Sequence, residues 1–210
     1  MSKHSNISAS VIRRLPRYYR FLGELADSGV SKISSRELAE RMSLTASQIR
    51  QDLNCFGGFG QQGYGYHVAE LRAEIGKILG VDRSKKAILI GAGHLGTALA
   101  MHINFQKSGC KLIGIFDSNK QIERQELAGL KITDIALLEQ FCAADKPDIA
   151  VLCTPKAVTK DIVQRLIGLN VRSFWNFSHY DINVDHEDII VENVHLGDSL
   201  MTLSYGVNNK

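Results

Sequence analysis

The sequence lacks the cysteine pairs, long apolar runs and internal repeats that would mark several common classes of protein. Its four cysteines are scattered without C-x-x-C spacing, which argues against a disulfide framework and a zinc site. No apolar run approaches the roughly 20 residues of a membrane-spanning helix, and no apolar signal segment follows the N-terminus. We therefore expect a cytoplasmic protein without a metal site.

Charge is distributed unevenly along the 210 residues. Residues 1–86 carry 14 Lys and Arg against 8 Asp and Glu, whereas residues 87–210 carry 11 against 14. A basic N-terminal part joined to a mildly acidic remainder indicates that the first part binds a polyanion such as nucleic acid. The alternative is an ordinary solvated charged face.

Residues 1–80 have the helical pattern of a DNA-binding domain. Apolar residues at helical spacing predict a helix over 11–25. Pro16 is typical of a first helical turn, so the basic residues before it are interpreted as an arm. A further helix over 68–79 connects this domain to a polar linker at 81–86.

Between these helices the sequence predicts a helix-turn-helix. Ser34 with Glu37 three residues later indicates a capping box, and Thr45 caps a second short helix over 46–55. The glycine-rich segment 57–66 then predicts a short hairpin, the wing of a winged-helix domain.

The second short helix is the one expected to enter the major groove, where arginine reads guanine and glutamine reads adenine. The exposed positions near its start, which are predicted to contact DNA, are Ser47, Gln48, Arg50 and Gln51. Arg13, Arg14 and Arg17 are predicted to contact phosphates. Such contacts position the protein on the duplex but do not specify its base sequence. The predicted minor-groove residues of the wing are Gln61, Gln62 and Tyr64.

After the linker the pattern changes to alternating strands and helices. Predicted strands cover 87–90, 111–116, 149–153, 171–177 and 189–194, and predicted helices cover 94–107, 135–142 and 158–169. This order predicts an α/β fold, with a Rossmann-like doubly wound parallel sheet over 87–194 after the winged-helix domain. A weakly amphipathic helix over 196–207 has nothing after it to cover its apolar face, which favours burial against a partner subunit.

The run from residue 91 to residue 96 has the form G-x-G-x-x-G between a predicted strand and a predicted helix, as a dinucleotide-binding turn requires. Gly91 allows the tight turn, Gly93 lets backbone approach the pyrophosphate, and Gly96 lets helix pack on strand. Asp117, 21 residues after Gly96, can accept hydrogen bonds from ribose hydroxyls and repel a 2′-phosphate, which favours NAD over NADP. The predicted site comprises Gly91, Ala92, Gly93, His94, Leu95, Gly96 and Asp117, with Thr154, Pro155 and Asn176 as candidate walls. For these walls, ordinary loop and core packing is the alternative.

Together these motifs, in one order, resemble the Rex family of bacterial redox-sensing transcriptional repressors over nearly the whole chain. The matching stretches are 14–20, 49–53, 56–60, 63–66, 91–99, Asp117 and 175–177. The resemblance implies a homodimer that binds NAD⁺ and NADH and leaves its pseudo-palindromic operator DNA when NADH rises. It also implies that the C-terminal helix, in 195–210, is swapped between subunits and packs near the partner's nicotinamide.

Two positions depart from the family pattern. Well-studied family members have a Tyr at the position of His102 and an Asp at the position of His195. That Asp pairs with the Arg matching Arg20 in one state and with the Tyr in the other. Histidine cannot form the same ion pair, so which redox form binds more tightly stays open. We hypothesise that His102 and His195 lie near the nicotinamide and alter this preference. The alternative is two incidental, partly exposed histidines.

Two other functions compete with a repressor. An NAD-dependent dehydrogenase would need a proton-transfer residue, for which His102 or His179 is available. However, no part of the chain remains for a substrate domain once residues 1–86 are assigned to the winged helix. A module that binds CoA or another metabolite is the third possibility. Asp117 argues for NAD instead, and the basic N-terminal part argues for DNA binding. We therefore predict a DNA-binding repressor with no catalytic residues.

Overall fold

The computed structural model describes residues 7–57, 59 and 65–208, and the chain divides into two compact units, Met1–Asp82 and Arg83–Lys210. The predicted wing residues Gln61, Gln62 and Tyr64 lie outside the described residues. None of the helices formed by the described residues is long and apolar enough to span a membrane.

The first unit is a helical domain with one small two-stranded sheet. Its elements are α1 (Ala9–Asp27), β1 (Lys32–Ile33), α2 (Ser35–Met42), α3 (Ala46–Asn54), β2 (Tyr66–His67) and α4 (Val68–Leu79). Strands β1 and β2 pair antiparallel, and α1 packs against α4. The apolar faces of all four helices meet in one core, onto which Phe56 and Phe59 also pack.

Helix α1 begins seven residues before Pro16, so the interpretation of the preceding basic residues as an arm is wrong. A proline inside a helix removes the hydrogen bond to the carbonyl of Ile12 and costs about 3 kcal/mol. Val11 and Leu15, both buried, lie on the N-terminal side of Pro16. Burial of these side chains offsets that cost, and the helix continues through the proline.

The predicted caps of the helix-turn-helix are confirmed. The Ser34 hydroxyl accepts from the Glu37 backbone N–H at 3.1 Å, and the Glu37 carboxylate accepts from the Ser34 N–H at 2.8 Å. Thr45 Oγ1 accepts from the Gln48 N–H at 3.1 Å at the start of α3. Ser43, at φ 53°, supplies the left-handed residue that turns the chain between α2 and α3.

A buried carboxylate ties α3 to α1. Asp52 is 1% exposed and accepts four hydrogen bonds from the described residues. Arg14 donates two of them at 2.6 and 2.8 Å, Tyr18 Oη donates at 2.6 Å, and Gln48 Nε2 donates at 2.8 Å. Burial alone would raise the pKa of Asp52, but the three donors outweigh it and lower that pKa, so the carboxylate is ionised at neutral pH.

The second unit is a seven-stranded sheet with helices on both faces. Its elements are β3 (Lys85–Ile90), α5 (His94–His102), β4 (Cys110–Asp117), β5 (Glu126–Leu127), β6 (Leu130–Asp134), α6 (Leu138–Ala144), β7 (Ile149–Leu152), α7 (Lys156–Gly168), β8 (Ser173–Asn176), α8 (Ile182–Asp185), β9 (Ile190–Asn193) and α9 (Leu196–Asn208). Strand β3 begins at Lys85, inside the segment predicted as linker.

The sheet has the strand order β5-β6-β4-β3-β7-β8-β9, and every neighbouring pair except β5 and β6 is parallel. This confirms the predicted doubly wound sheet. The sequence prediction missed the hairpin of β5 and β6, whose turn places Ala128 and Gly129 at φ 53° and 77°. The carboxyl ends of β3, β4, β7 and β8 meet at one edge, where ligands bind in such folds.

Helix α5 ends at His102, so the prediction that it runs to residue 107 is wrong. Ile103 leaves the helical conformation at φ −83° and ψ 124°. The Asn104 side chain then accepts from the Lys107 N–H at 2.9 Å and starts a separate 3-10 turn, Gln106–Ser108. Asparagine competes with helices in this way because its side chain bonds nearby backbone.

The C-terminal helix α9 exposes its apolar side chains. Among its described residues none is buried. The exposed apolar residues are Leu196, Leu200, Met201, Leu203, Tyr205 and Val207, each at least 63% exposed. An exposed apolar surface of this kind is typical of a protein–protein contact.

We expect Tyr18→Phe to destabilise the first unit by about 1.5–3 kcal/mol at neutral pH, because it removes a buried hydrogen bond to a charged group. The lowered pKa of Asp52 means that its stabilisation is present above the unfolded value, about 3.9, and is lost as pH falls through the folded value. The difference between the variant and the wild type should therefore shrink below about pH 4.

Denaturant unfolding followed by far-UV circular dichroism measures this effect. Fluorescence of Trp175, the single tryptophan, reports the second unit and should not change. Tyr19→Phe is the matched control, since the Tyr19 ring packs beside the Arg72 guanidinium and its loss of a hydroxyl should cost under about 0.5 kcal/mol. Equal effects of both variants would contradict the prediction.

Candidate dinucleotide site and nucleic-acid interface

The glycine turn after β3 has the geometry of a phosphate-binding turn. Gly91 has φ +96°, and a Cβ there would lie 2.7 Å from the Cys153 carbonyl oxygen. A Cβ on Gly96 would lie 1.8 Å from the Gly91 oxygen, so only glycine lets α5 approach the strand. A Cβ on Gly93 would meet no atom within 4 Å. The turn is therefore closed on the protein side and open at Gly93.

The N-terminus of α5 faces this opening. Gly93 is its N-cap residue and no side chain caps the helix. The first N–H groups of a helix have no partner within it and carry a partial positive charge. This end of α5 can therefore bind an anionic group such as a pyrophosphate.

Asp117 is held against the glycine turn. Its Oδ2 accepts from the Ala92 N–H at 2.6 Å, and its Oδ1 accepts from the Asn119 N–H at 2.8 Å. Each carboxylate oxygen has a further lone pair, so the group can still accept from two vicinal hydroxyls. The structure thus places Asp117 beside the turn, as predicted for a ribose-binding carboxylate.

Two clefts flank the turn. The larger, about 700 Å³, follows the outer face of α5, and its lining includes Ala92, Gly93, His94, Met101, His102 and Asp117. The smaller, about 500 Å³, lies between the strand ends and α7, and its lining includes Gly91, Asp117, Ile135, Thr154, Pro155 and Arg165. Leu95 lines neither cleft. The predicted walls Thr154 and Pro155 therefore do reach a cavity beside the turn.

Asn176 is buried at the end of β8, and its amide is fully engaged. Its Nδ2 donates to the Tyr180 carbonyl at 2.9 Å and to Asn193 Oδ1 at 2.7 Å. Its Oδ1 accepts from the Ser178 N–H and hydroxyl at 3.0 and 2.7 Å. Asn176 thus fixes the loop after β8 to the end of β9, which is a positioning role that sequence reasoning did not identify.

The histidines lie in two different places. His102 ends α5 and lines the larger cleft. His195 precedes α9 and stacks on His179, with ring centroids 5.6 Å apart and planes 6° apart. The stacking of His179 on His195 was not predicted, because loop residues 16 positions apart carry no periodic signal.

The thiol of Cys153 also lines the smaller cleft. Burial raises the pKa of this thiol to about 12, so it is protonated at neutral pH. Because the thiolate is the reactive form, this cysteine contributes an apolar wall and no nucleophile. Residues 7–57, 59 and 65–208 contain no cluster of three His, Cys, Asp or Glu side chains arranged to hold a metal ion.

The first unit presents the start of α3 at its surface. Ser47, Arg50 and Gln51 are exposed, and Arg50 Nη1 donates to Ser35 Oγ at 3.0 Å. Gln48 is half-buried, because its side chain turns inward to Asp52. The exposed residues form a polar surface on a helix of the length that enters a major groove.

Three of the four arginines of α1 are those predicted to contact phosphates, and their surroundings differ. Arg13 is exposed. Arg14 is paired with Asp52 through two nitrogens, and Arg17 Nη2 donates to the Met42 carbonyl at 2.6 Å. Both Arg14 and Arg17 thus brace the helix-turn-helix. A motif search could not find Asp52, since only the fold brings it to α1.

Two family models match the chain. One, described as a putative DNA-binding protein N-terminus, covers residues 6–54, and the other, described as a CoA binding domain, covers residues 82–180. A redox-sensing transcriptional repressor Rex from Thermoanaerobacter pseudethanolicus is 51% identical over all of this chain and 93% of that protein. The repressor of the same name from Clostridioides difficile is 48% identical over 98% of this chain and 97% of that protein.

This chain belongs to the Rex family of redox-sensing transcriptional repressors. Solved Rex-family structures agree with it along both units. RSP in complex with β-NAD⁺ and operator DNA is 50% identical, with a TM-score of 0.90, over 98% of this chain and 94% of that one. RSP in complex with β-NADH is 47% identical, with a TM-score of 0.88, over 98% of this chain and 96% of that one.

We expect Gly93→Ala in this Rex-family chain to leave the fold intact and to weaken dinucleotide binding at least about tenfold. The position has an ordinary φ of −71° and free space around it, so the apo protein should change by less than about 0.5 kcal/mol. A methyl group there would occupy the space in which a pyrophosphate approaches the backbone. NADH titration followed by fluorescence, together with thermal unfolding, measures both effects.

Gly96→Ala is the contrasting variant. Its methyl group would collide with the Gly91 carbonyl, so we expect overpacking to cost about 1–3 kcal/mol of stability or more. Unchanged NADH affinity in a well-folded Gly93→Ala protein would contradict the predicted position of the pyrophosphate.

Proposed function

We propose that this Rex-family chain is a cytoplasmic DNA-binding repressor that binds operator DNA as a homodimer and releases it when it binds NADH. The observation that carries the proposal is the likeness, over 98% of the chain, to RSP in complex with both β-NAD⁺ and operator DNA. The glycine turn and the helix-turn-helix described above supply the two sites that such a protein needs.

In the dinucleotide site, the N-terminus of α5 binds the pyrophosphate and Asp117 accepts from the adenosine ribose. A 2′-phosphate next to this carboxylate is repelled, so the site favours NAD over NADP. Thr154 and Pro155 line the cleft into which the nucleotide extends. The RSP complexes with β-NAD⁺ and β-NADH favour this ligand over CoA.

In the DNA site, α3 enters the major groove. Arg50 and the glutamines Gln48 and Gln51 read base edges, while Ser47 and Arg13 contact the backbone. Two copies of α3 read a palindrome when they sit about one helical turn apart. The exposed apolar face of α9 suits burial against the second subunit.

The nucleotide acts through differential binding and not as a substrate. A ligand that binds the DNA-incompetent dimer about 100-fold more tightly shifts the equilibrium by about 2.7 kcal/mol. Closure of the dimer changes the separation of the two recognition helices, which then no longer match successive grooves. A dehydrogenase is disfavoured because the 51% identical relative is named as a transcriptional repressor.

We expect the wild-type protein to shift a palindromic operator duplex with NAD⁺ or without nucleotide, and to release it on titration with NADH. Fluorescence anisotropy of a labelled duplex at fixed salt measures the effect, with NADPH as the control ligand. Equal DNA affinity in the presence of NAD⁺ and of NADH, combined with hydride turnover on a small substrate, would overturn the proposed repressor function in favour of an enzyme.

We also expect the double variant His102→Tyr/His195→Asp to change the ratio of NADH to NAD⁺ affinity. The proposal is supported for His102 because it lines the cleft that begins at the glycine turn. His195 ends the loop after β9, and its role at the nicotinamide rests on the hypothesis alone. Calorimetric titration with each nucleotide measures the ratio. His67→Tyr, an exposed histidine of the first unit, is the matched control, and an unchanged ratio in the double variant would refute the role of the pair.

A further inference from the structure

The guanidinium of Arg50 is held by the helix that precedes its own. Arg50 lies on the exposed side of α3, and its Nη1 donates to the hydroxyl oxygen of Ser35 at 3.0 Å. Ser35 is the first residue of α2, where the separate capping pair of Ser34 and Glu37 fixes the backbone. The acceptor therefore stands on a fixed helix end. It restrains the tip of a long side chain that would otherwise change rotamer freely.

The charge of Arg50 stays unpaired by any carboxylate of the described residues. It does act on Tyr66 of β2: burial raises the pKa of Tyr66, and the positive charge of Arg50 opposes this rise. The guanidinium thus lies near both α2 and the small sheet. Because a hydroxyl is neutral, Ser35 holds this group without neutralising it, and its charge remains available to DNA.

Arg14, in the same unit, shows the opposite arrangement. Its Nε and Nη2 both donate to the Asp52 carboxylate, so its two-bond edge and its charge are both used within the protein. In Arg50 the described residues engage one hydrogen of Nη1. The Nε hydrogen and both Nη2 hydrogens remain, and they include the parallel donors with which arginine contacts O6 and N7 of guanine.

Resting on the proposed DNA-binding function, we infer that Ser35 is a positioning residue for Arg50 in base recognition. The Ser35 hydroxyl restrains the guanidinium before DNA arrives, and the Nε and Nη2 hydrogens then donate to a guanine in the major groove. Because the side chain is already partly ordered, less conformational entropy is lost when the base contact forms. Ser35 acts through Arg50 and does not itself read the base.

The test uses the full-length protein and a duplex that the wild type selects from a randomised pool. At each guanine of one half-site in turn, an A·T pair replaces the G·C pair, and fluorescence anisotropy measures the affinity. We expect the wild type to lose about tenfold or more at the guanine that Arg50 contacts, the ratio for a lost two-bond contact. In Arg50→Ala most of this penalty should vanish, which assigns that base pair to Arg50.

Ser35→Ala keeps Arg50 and removes its acceptor. We expect it to bind the natural duplex about three- to tenfold more weakly, the range for ordering one long side chain, and to bind the A·T duplex as the wild type does. In an Arg50→Ala background the same change should have no further effect, because a double-mutant cycle isolates the coupling of the two residues.

Two isosteric variants separate the hydroxyl from the shape of the side chain. Ser35→Thr keeps the acceptor and should bind as the wild type does, whereas Ser35→Val lacks it and should behave as Ser35→Ala. Ser28→Ala is the matched control, since the exposed hydroxyl of Ser28 donates to the Glu24 carbonyl at the end of α1 and should not affect base preference. Thermal unfolding checks that each variant is folded.

A loss of affinity in Ser35→Ala that is equal for both duplexes and persists without Arg50 would make Ser35 a phosphate contact and overturn the inference. Unchanged affinity in both Ser35→Ala and Ser35→Val would also overturn it. Persistence of every guanine preference in Arg50→Ala refutes base reading by Arg50 and the inference with it, but leaves the repressor function standing. Failure of the wild type to select any duplex refutes the proposed function itself.

Discussion

The second unit depends on one close approach, that of α5 to the end of β3. The Cα of Gly96 packs against the Gly91 carbonyl with no room for a methyl group, and Gly91 itself turns at a positive φ against the Cys153 carbonyl. This contact aims the uncapped N-terminus of α5 at the carboxyl edge of the sheet. Asp117 then reaches the Ala92 N–H, so the groups proposed to bind phosphate and ribose become parts of one turn.

The first unit has a comparable constraint of a different kind. A single ionised carboxylate, Asp52, gathers Arg14 and Tyr18 from α1 and Gln48 from its own helix. Burying a charge is costly unless every lone pair finds a donor, and here all are used. Stability and recognition are thereby coupled, because the same carboxylate that joins the helices also sets the orientation of a side chain at the proposed DNA surface.

Local signals predicted most of the elements correctly. The capping box at Ser34, the cap at Thr45 and the glycine turn at 91–96 each depend on residues within a few positions, and the structure has all three. Errors arose where short-range and long-range effects compete. Pro16 was interpreted as part of a first helical turn but lies inside α1, because burial of neighbouring side chains outweighs the free-energy cost of the proline. The two-residue strand β5 was too short to show the alternating pattern of a strand.

By itself, the sequence determined the fold class, the position of the glycine turn and the helix-turn-helix, because these follow from periodicity, caps and glycine spacing. Only the tertiary structure decided which polar residues are free to act. It showed the Asn176 amide saturated by the loop after β8 and the last residue of β9, Arg14 committed to Asp52, and His195 stacked on His179. The reason is physical: a hydrogen bond between residues 38 positions apart leaves no local trace, since its free energy depends on burial that only the folded chain creates.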